Sequence, residues 1–274
     1  MSSDQSNVVL EARDSVAIVR LNRPERMNAF TFQMIADIRR AVDRAAADEN
    51  AAGIIITGTG RAFSAGLDAA DLARSASGTA PSNIESSTPP TDELPALFSY
   101  LLRISKPVIA ALNGVAAGGG FVLAMMCDLR FAAESASLTT AFSKRGLIAE
   151  HGTSYLLPRL VGISRALDLL WSSRRFDAAE ALRIGFVDRV VPNDRVLDEA
   201  CAYIRDLAVN VSPRSLAVIK AQVYGHLSLG MEAAIRHTDK VTNEALAHPD
   251  ATEGVASFVE RRPPRFQRWK GETI

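Results

Sequence analysis

One stretch constrains this chain more than any other. An apolar strand pattern at residues 108–112 leads through Asn113-Gly114 into three consecutive glycines, Gly118-Gly119-Gly120, and then into Phe121-Val122-Leu123-Ala124-Met125-Met126. The run 118–126 reads as a helix with no polar face, and such a helix has to be buried on every side. Its start carries free N–H groups and the positive end of the helix dipole. Glycine there lets another group approach the backbone closely. The glycine spacing does not follow GxGxxG, which argues against a doubly wound dinucleotide fold.

The rest of the chain alternates strands and helices, which argues α/β. Residues 8–11 and 16–21 read as a hairpin around Arg13-Asp14. Thr31 caps a helix to Asp48 with Met34, Ile35, Ile38, Val42 and Ala45 on one face. Residues 53–57 form a buried strand ended by Gly58 and Gly60, and residues 129–132 form another. The irregular spacing favours a stacked, spiral arrangement of β-β-α units. From Gly152 onward the patterns are helical (166–171, 178–184, 197–209, 213–224, 231–247), with a strand at 187–191. Residues 1–209 read as a core domain and 210–274 as a C-terminal helical region. Residues 75–91, rich in Ser, Pro, Thr and Ala, read as a loop that either links in solvent or covers a substrate.

Composition narrows the function classes. The 274 residues are 47% hydrophobic, enough for a sizeable core. The 31 basic and 31 acidic residues cancel without a cationic run, so nucleic acid and anionic membranes are not expected partners. No apolar stretch reaches the roughly 18 residues of a membrane span. The first residues carry no apolar leader segment. Cys127 and Cys201 have no CxxC partner and read as reduced thiols. His226, His237 and His248 lack metal-ligand spacing, so no metal site is expected. A cytoplasmic location follows as an expectation.

Three segments carry a family resemblance: Leu21-Asn22-Arg23-Pro24-Glu25-Arg26-Met27-Asn28-Ala29, Arg61-Ala62-Phe63-Ser64-Ala65-Gly66-Leu67-Asp68, and the run from Pro107 to Gly120. Residues 186–191 and 258–262 follow in order. Together they resemble the crotonase superfamily of enoyl-CoA hydratases and isomerases over almost the whole chain. The resemblance implies a ββα spiral core, a C-terminal helical trimerisation region, a homotrimer or homohexamer, and a CoA thioester substrate in fatty acid metabolism, with no cofactor beyond that coenzyme A. It implies an oxyanion hole made by the backbone N–H groups of Leu67 and Gly119. It also lays CoA along Arg26, Met27, Ala29, Ala65 and Asp68, with Phe258 and Arg261 reaching it from the last helix, out of a neighbouring subunit. An Arg suits a phosphate; Arg261 also reads as a solvated surface charge.

The chain departs from the hydratase pattern at two positions. By resemblance the two glutamates of the hydratases fall at Val122 and Phe142, and neither residue moves a proton. They read instead as walls of the acyl pocket. Glu150 is the remaining carboxylate, at a position where relatives carry a catalytic or nucleophilic Asp. Desolvation beside apolar walls raises a carboxylate pKa and suits general acid–base work. The alternative role for Glu150 is to cap the helix that starts near Gly152. His151 either shares a proton with it or points into the fold. Ser64 and Ser143 lack a base partner, Asp128 reads as a structural cap partner, and Tyr155 and Trp171 as core or pocket wall. The favoured reading is double-bond isomerisation with Glu150 as the single acid/base. The alternatives are hydrolysis or dehalogenation with Glu150 as nucleophile, and a non-catalytic CoA-thioester-binding subunit.

Overall fold

The computed structural model describes residues 6–79 and 96–268. β1 (Val8–Arg13) and β2 (Val16–Leu21) form an antiparallel hairpin that turns at Asp14-Ser15, with Asp14 in the left-handed region. α1 (Phe32–Ala47) follows, its first turn capped by the Thr31 side chain, which accepts from the Met34 N–H. Three strand pairs come next: β3 (Gly53–Gly58) with β4 (Ala62–Ser64), β5 (Val108–Leu112) with β6 (Val115–Ala117), and β7 (Leu129–Ala133) with β8 (Ser137–Thr139). α2 (Ala69–Ala76) follows β4, and α3 (Gly119–Met126) follows β6.

Each pair gives one strand to a six-stranded sheet ordered β1-β2-β3-β5-β7-β10 and one to a four-stranded sheet ordered β4-β6-β8-β9. Both sheets are parallel except at β1–β2 and β8–β9. This repeated splitting of a strand pair between two sheets is the spiral that the sequence pattern implied. The chain then runs through α4 (Thr153–Val161), α5 (Ile163–Ser172), β9 (Phe176–Asp177), α6 (Ala178–Arg183) and β10 (Arg189–Val191). It ends in α7 (Val196–Asn210), α8 (Pro213–His226), α9 (Met231–Leu246) and α10 (Pro249–Glu260).

The strands of the large sheet are apolar on both faces because both are covered. Ile54, Ile56, Val108, Ala110 and Leu112 face the core shared with α1 and α3. Ile18, Ile55, Ile109 and Phe131 face α7 through Ala200, Cys201 and Ile204. α3 is buried on all sides, as its sequence required. α8 is tied to the sheet by Asp128, which accepts from the Val108 N–H at 2.7 Å, Lys220 Nζ at 2.7 Å and the Tyr224 hydroxyl at 3.0 Å. Asp128 thus holds structure together, as expected, although it joins two elements rather than capping one.

Some expectations need correction. The strand placed at 187–191 covers only Arg189–Val191, because Val187 is held by a main-chain bond to Ala181. The loop placed at 75–91 starts later, since α2 runs to Ala76 on an Asp68 cap; residues 80–91 lie outside the described residues. Trp171 and Tyr155 are not core: they are 73% and 40% exposed, on outward faces of α5 and α4. Among the described residues, no helix is long and apolar enough to cross a membrane.

Candidate active site

The three motif segments follow β2, β3 and β5 at their C-terminal ends, so the fold gathers them at one edge of the sheet, where open parallel sheets bind ligands. The first segment is held by Asn28, fully buried and left-handed. Its Oδ1 accepts from the Arg23 N–H at 2.8 Å, and its Nδ2 donates to Ala62 O at 2.7 Å and Thr59 O at 3.0 Å. The second segment lies along the first: Ala65 N–H donates to Met27 O, Phe30 N–H to Gly66 O, and Asp68 N–H to Phe30 O.

That ladder fixes one peptide. In the parallel bridge between Phe30 and Leu67, Phe30 bonds to residues 66 and 68. The Leu67 N–H therefore points to the opposite side. The start of α3 stands against Gly66. A Cβ built on Gly66 would lie 3.0 Å from Gly119 N and 2.6 Å from Ala117 O, so only glycine permits the approach. Gly66 is also left-handed, with φ +92°. Gly119 is the first residue of α3, and its N–H has no place in the helix ladder. Gly118, at φ +51°, turns the chain into the helix and borders open space. The main chain at Gly66 thus lies directly against the start of α3.

Val122, one turn along α3 from Gly119, is 0% exposed, and Phe142 is 6% exposed at the entry to a 3-10 turn, Ser143–Arg145. Neither carries a titratable group. Glu150 precedes α4, which packs on α3; a Cβ on Gly152 would lie 3.5 Å from Met126 Cε. The capping role is corrected here. Gly152 is the cap residue of α4, without a side-chain bond, and it is the Glu150 carbonyl that accepts from the Thr153 N–H and hydroxyl. The Glu150 carboxylate makes no hydrogen bond or ion pair among the described residues. His151 is left-handed, φ +52°, and its Nδ1 accepts from the Leu97 N–H at 3.4 Å. Packing beside its ring lowers its pKa, against a smaller opposite pull from Glu150.

Of the expected CoA residues, Met27, Ala29, Ala65 and Asp68 are brought together, with Arg26 exposed beside them. The Asp68 carboxylate accepts from the Ala70 N–H, capping α2, and from Arg23 Nη1 at 2.8 Å. These bonds, the cap first, hold its pKa below the usual carboxylate range. Phe258 and Arg261 are not joined to this group within the chain. The tail after α10 bonds back to Asp250 and Asn50, and Asn50 lies beyond α1, just before the start of β3. A cleft of about 360 Å³ opens there, between residues 51–52, 106–107 and 264–268, and of the motif segments it touches Pro107 alone among the described residues. Ser64 donates to Asn28 O and Ser143 to Trp171 O, so neither faces a base. The sequence reading missed Arg23 and Phe30. The signal for Arg23 was its place beside the buried Asn28; Phe30 gave none beyond apolarity.

Comparison with known proteins identifies the family. The family model described as enoyl-CoA hydratase/isomerase matches residues 11–269. A probable enoyl-CoA hydratase of Mycobacterium bovis is 33% identical over 259 residues, covering 94% of this chain and 97% of the relative. A probable mitochondrial enoyl-CoA hydratase of Dictyostelium discoideum is 34% identical, covering 93% and 89%. The crystal structure of an enoyl-CoA hydratase from Bacillus anthracis superposes with a TM-score of 0.85 at 27% identity, over 97% of this chain and 100% of that one. The chain belongs to the enoyl-CoA hydratase/isomerase family, the crotonase superfamily, and is an enzyme of that type.

Proposed function

We propose that the protein moves a double bond within an acyl-CoA thioester, with Glu150 carrying the proton between the α and γ carbons and the N–H groups of Leu67 and Gly119 holding the enolate oxygen. A thioester loses an α proton only if negative charge can build on its carbonyl oxygen. Preorganised donors stabilise that charge without reorganising, and losing one donor costs about 2.7–4 kcal/mol. The observation that carries the choice of reaction is Glu150: its carboxylate is left without a bonding partner among the described residues, two residues before Gly152, where α4 starts against Met126 of α3. Isomerisation needs one acid/base. Addition of water by two carboxylates finds Val122 and Phe142 where the resemblance puts its glutamates.

Arg26, Met27, Ala29, Ala65 and Asp68 form the CoA side of this site, Asp68 through its ties to Arg23 and α2. Phe258 and Arg261 complete it from a neighbouring subunit, in a homotrimer or homohexamer built on the 210–274 region. The exposure of Phe258, at 84%, supports that placement. The reaction asks for no cofactor beyond the coenzyme A of the substrate. Two buried, unpaired cysteines suit a reducing, cytoplasmic setting.

The test is turnover of a panel of 2-enoyl-, 3-enoyl- and aromatic acyl-CoA thioesters by the wild type and Glu150→Gln. Conversion between 2-enoyl and 3-enoyl isomers, lowered about 100-fold or more in the variant, is the expected result. Full activity in Glu150→Gln removes Glu150 from the chemistry. An ester intermediate trapped on Glu150 replaces proton transfer with nucleophilic attack. Tight binding without any turnover leaves a binding subunit.

A further inference from the structure

We infer that Phe30 is the positioning residue of the oxyanion hole: its main chain aims the Leu67 N–H while its ring sets the start of α3 that carries the Gly119 N–H. This rests on the oxyanion reading above and adds to it the residue that fixes the gap between the two donors.

The donors belong to different elements, so something has to hold them in register. Phe30 touches both. Its N–H donates to Gly66 O at 2.7 Å, and its carbonyl accepts from the Asp68 N–H at 2.8 Å. These two bonds clamp the peptides on either side of Leu67. Its ring lies against α3: a Cβ built on Gly119 would stand 3.3 Å from Phe30 Cδ2 and 3.7 Å from Gly66 Cα. Phe30 is fully buried. Behind it Phe98 packs edge-on, ring centroids 5.5 Å apart and planes at 69°. Phe98 itself is held in the left-handed region, φ +63°, a conformation that a residue with a Cβ keeps only where its surroundings require it. Phe98, Phe30 and Gly119 thus stand in a row inside the core, where a smaller side chain leaves a void.

The test compares Phe30→Leu and Phe98→Leu with Phe131→Leu, a control in the separate core between the large sheet and α7, where Phe131 is buried against Tyr203. The probe is a saturated acyl-CoA thioester labelled with 13C at the carbonyl, read by NMR in the complex, together with kcat and KM on the convertible enoyl-CoA. The wild type is expected to polarise the bound carbonyl. Phe30→Leu is expected to reduce that shift and lower kcat about 10- to 100-fold with KM little changed. Phe98→Leu follows in the same direction and keeps the test open should Phe30→Leu fail to fold. Phe131→Leu leaves shift and kcat as they are. Wild-type shift and kcat in both Phe30→Leu and Phe98→Leu overturn the inference while leaving the oxyanion reading standing. An unpolarised carbonyl in the wild type overturns both.

Discussion

At the scale of single residues, the site is built from groups that have no freedom left and one that does. Gly66 and Gly120 have no room for a methyl group: a Cβ on Gly120 would lie 2.4 Å from the Ser64 carbonyl oxygen. Gly120→Ala should therefore push α3 off β4, lowering stability by about 1–3 kcal/mol and kcat with it, as urea denaturation and turnover would show. Asp68 makes a pH-dependent contribution. Its folded-state pKa is depressed, so its stabilisation is complete above the ordinary carboxylate value and is lost as pH falls through the lower folded value. Asp68→Ala should cost about 1–2 kcal/mol at neutral pH, and its melting temperature should approach that of the wild type in acid. A gap that stays constant from pH 7 to pH 3 would mean that neither the α2 cap nor Arg23 depends on the charge. Glu150 is the contrasting group, a carboxylate with no bond to satisfy it among the described residues.

At the scale of elements, strands and helices interlock through missing side chains. α7 sits so close to β3 that a Cβ on Gly53 would lie 2.4 Å from Ile204 Cδ1. Gly53→Ala should destabilise by about 1–3 kcal/mol, and Ile204→Val, which deletes that Cδ1, should recover part of the loss in the double variant. Additive losses would show that the two do not touch. The elements that the sequence made legible are those whose pattern is local. The all-apolar run from Gly53, the Thr31 cap with its one-sided helix, and the buried helix at Gly119–Met126 all declared themselves. The three-residue strands β4, β6 and β8 did not, because their pairing partners lie far along the chain. α2 was hidden by the Ser-rich stretch that follows it. Of the candidate site, the glycines that meet at the start of α3 were legible. Phe30 was not, since its role comes from which peptide it pairs with, and Glu150 as a helix cap was excluded only by seeing that its backbone does the capping.

At the scale of the whole molecule, the C-terminal helices leave apolar side chains unpartnered. Met231, Leu246, Val255, Phe258 and Val259 are all exposed in the single chain. On the proposed assembly they pack between subunits, and light scattering should find three or six chains per particle; a monodisperse monomer would leave Phe258 and Arg261 without a route to CoA. The account as a whole turns on one chemical event, removal and return of a proton next to a polarised thioester. The most direct measurement is to incubate the enzyme with a 3-enoyl-CoA in D2O and follow the acyl chain by NMR. The account predicts the 2-enoyl isomer with deuterium entering at the α and γ carbons, no 3-hydroxyacyl product, and loss of the exchange in Glu150→Gln. A 3-hydroxyacyl-CoA product formed by the wild type would contradict it, because the proposed route moves a proton through Glu150 and adds no water.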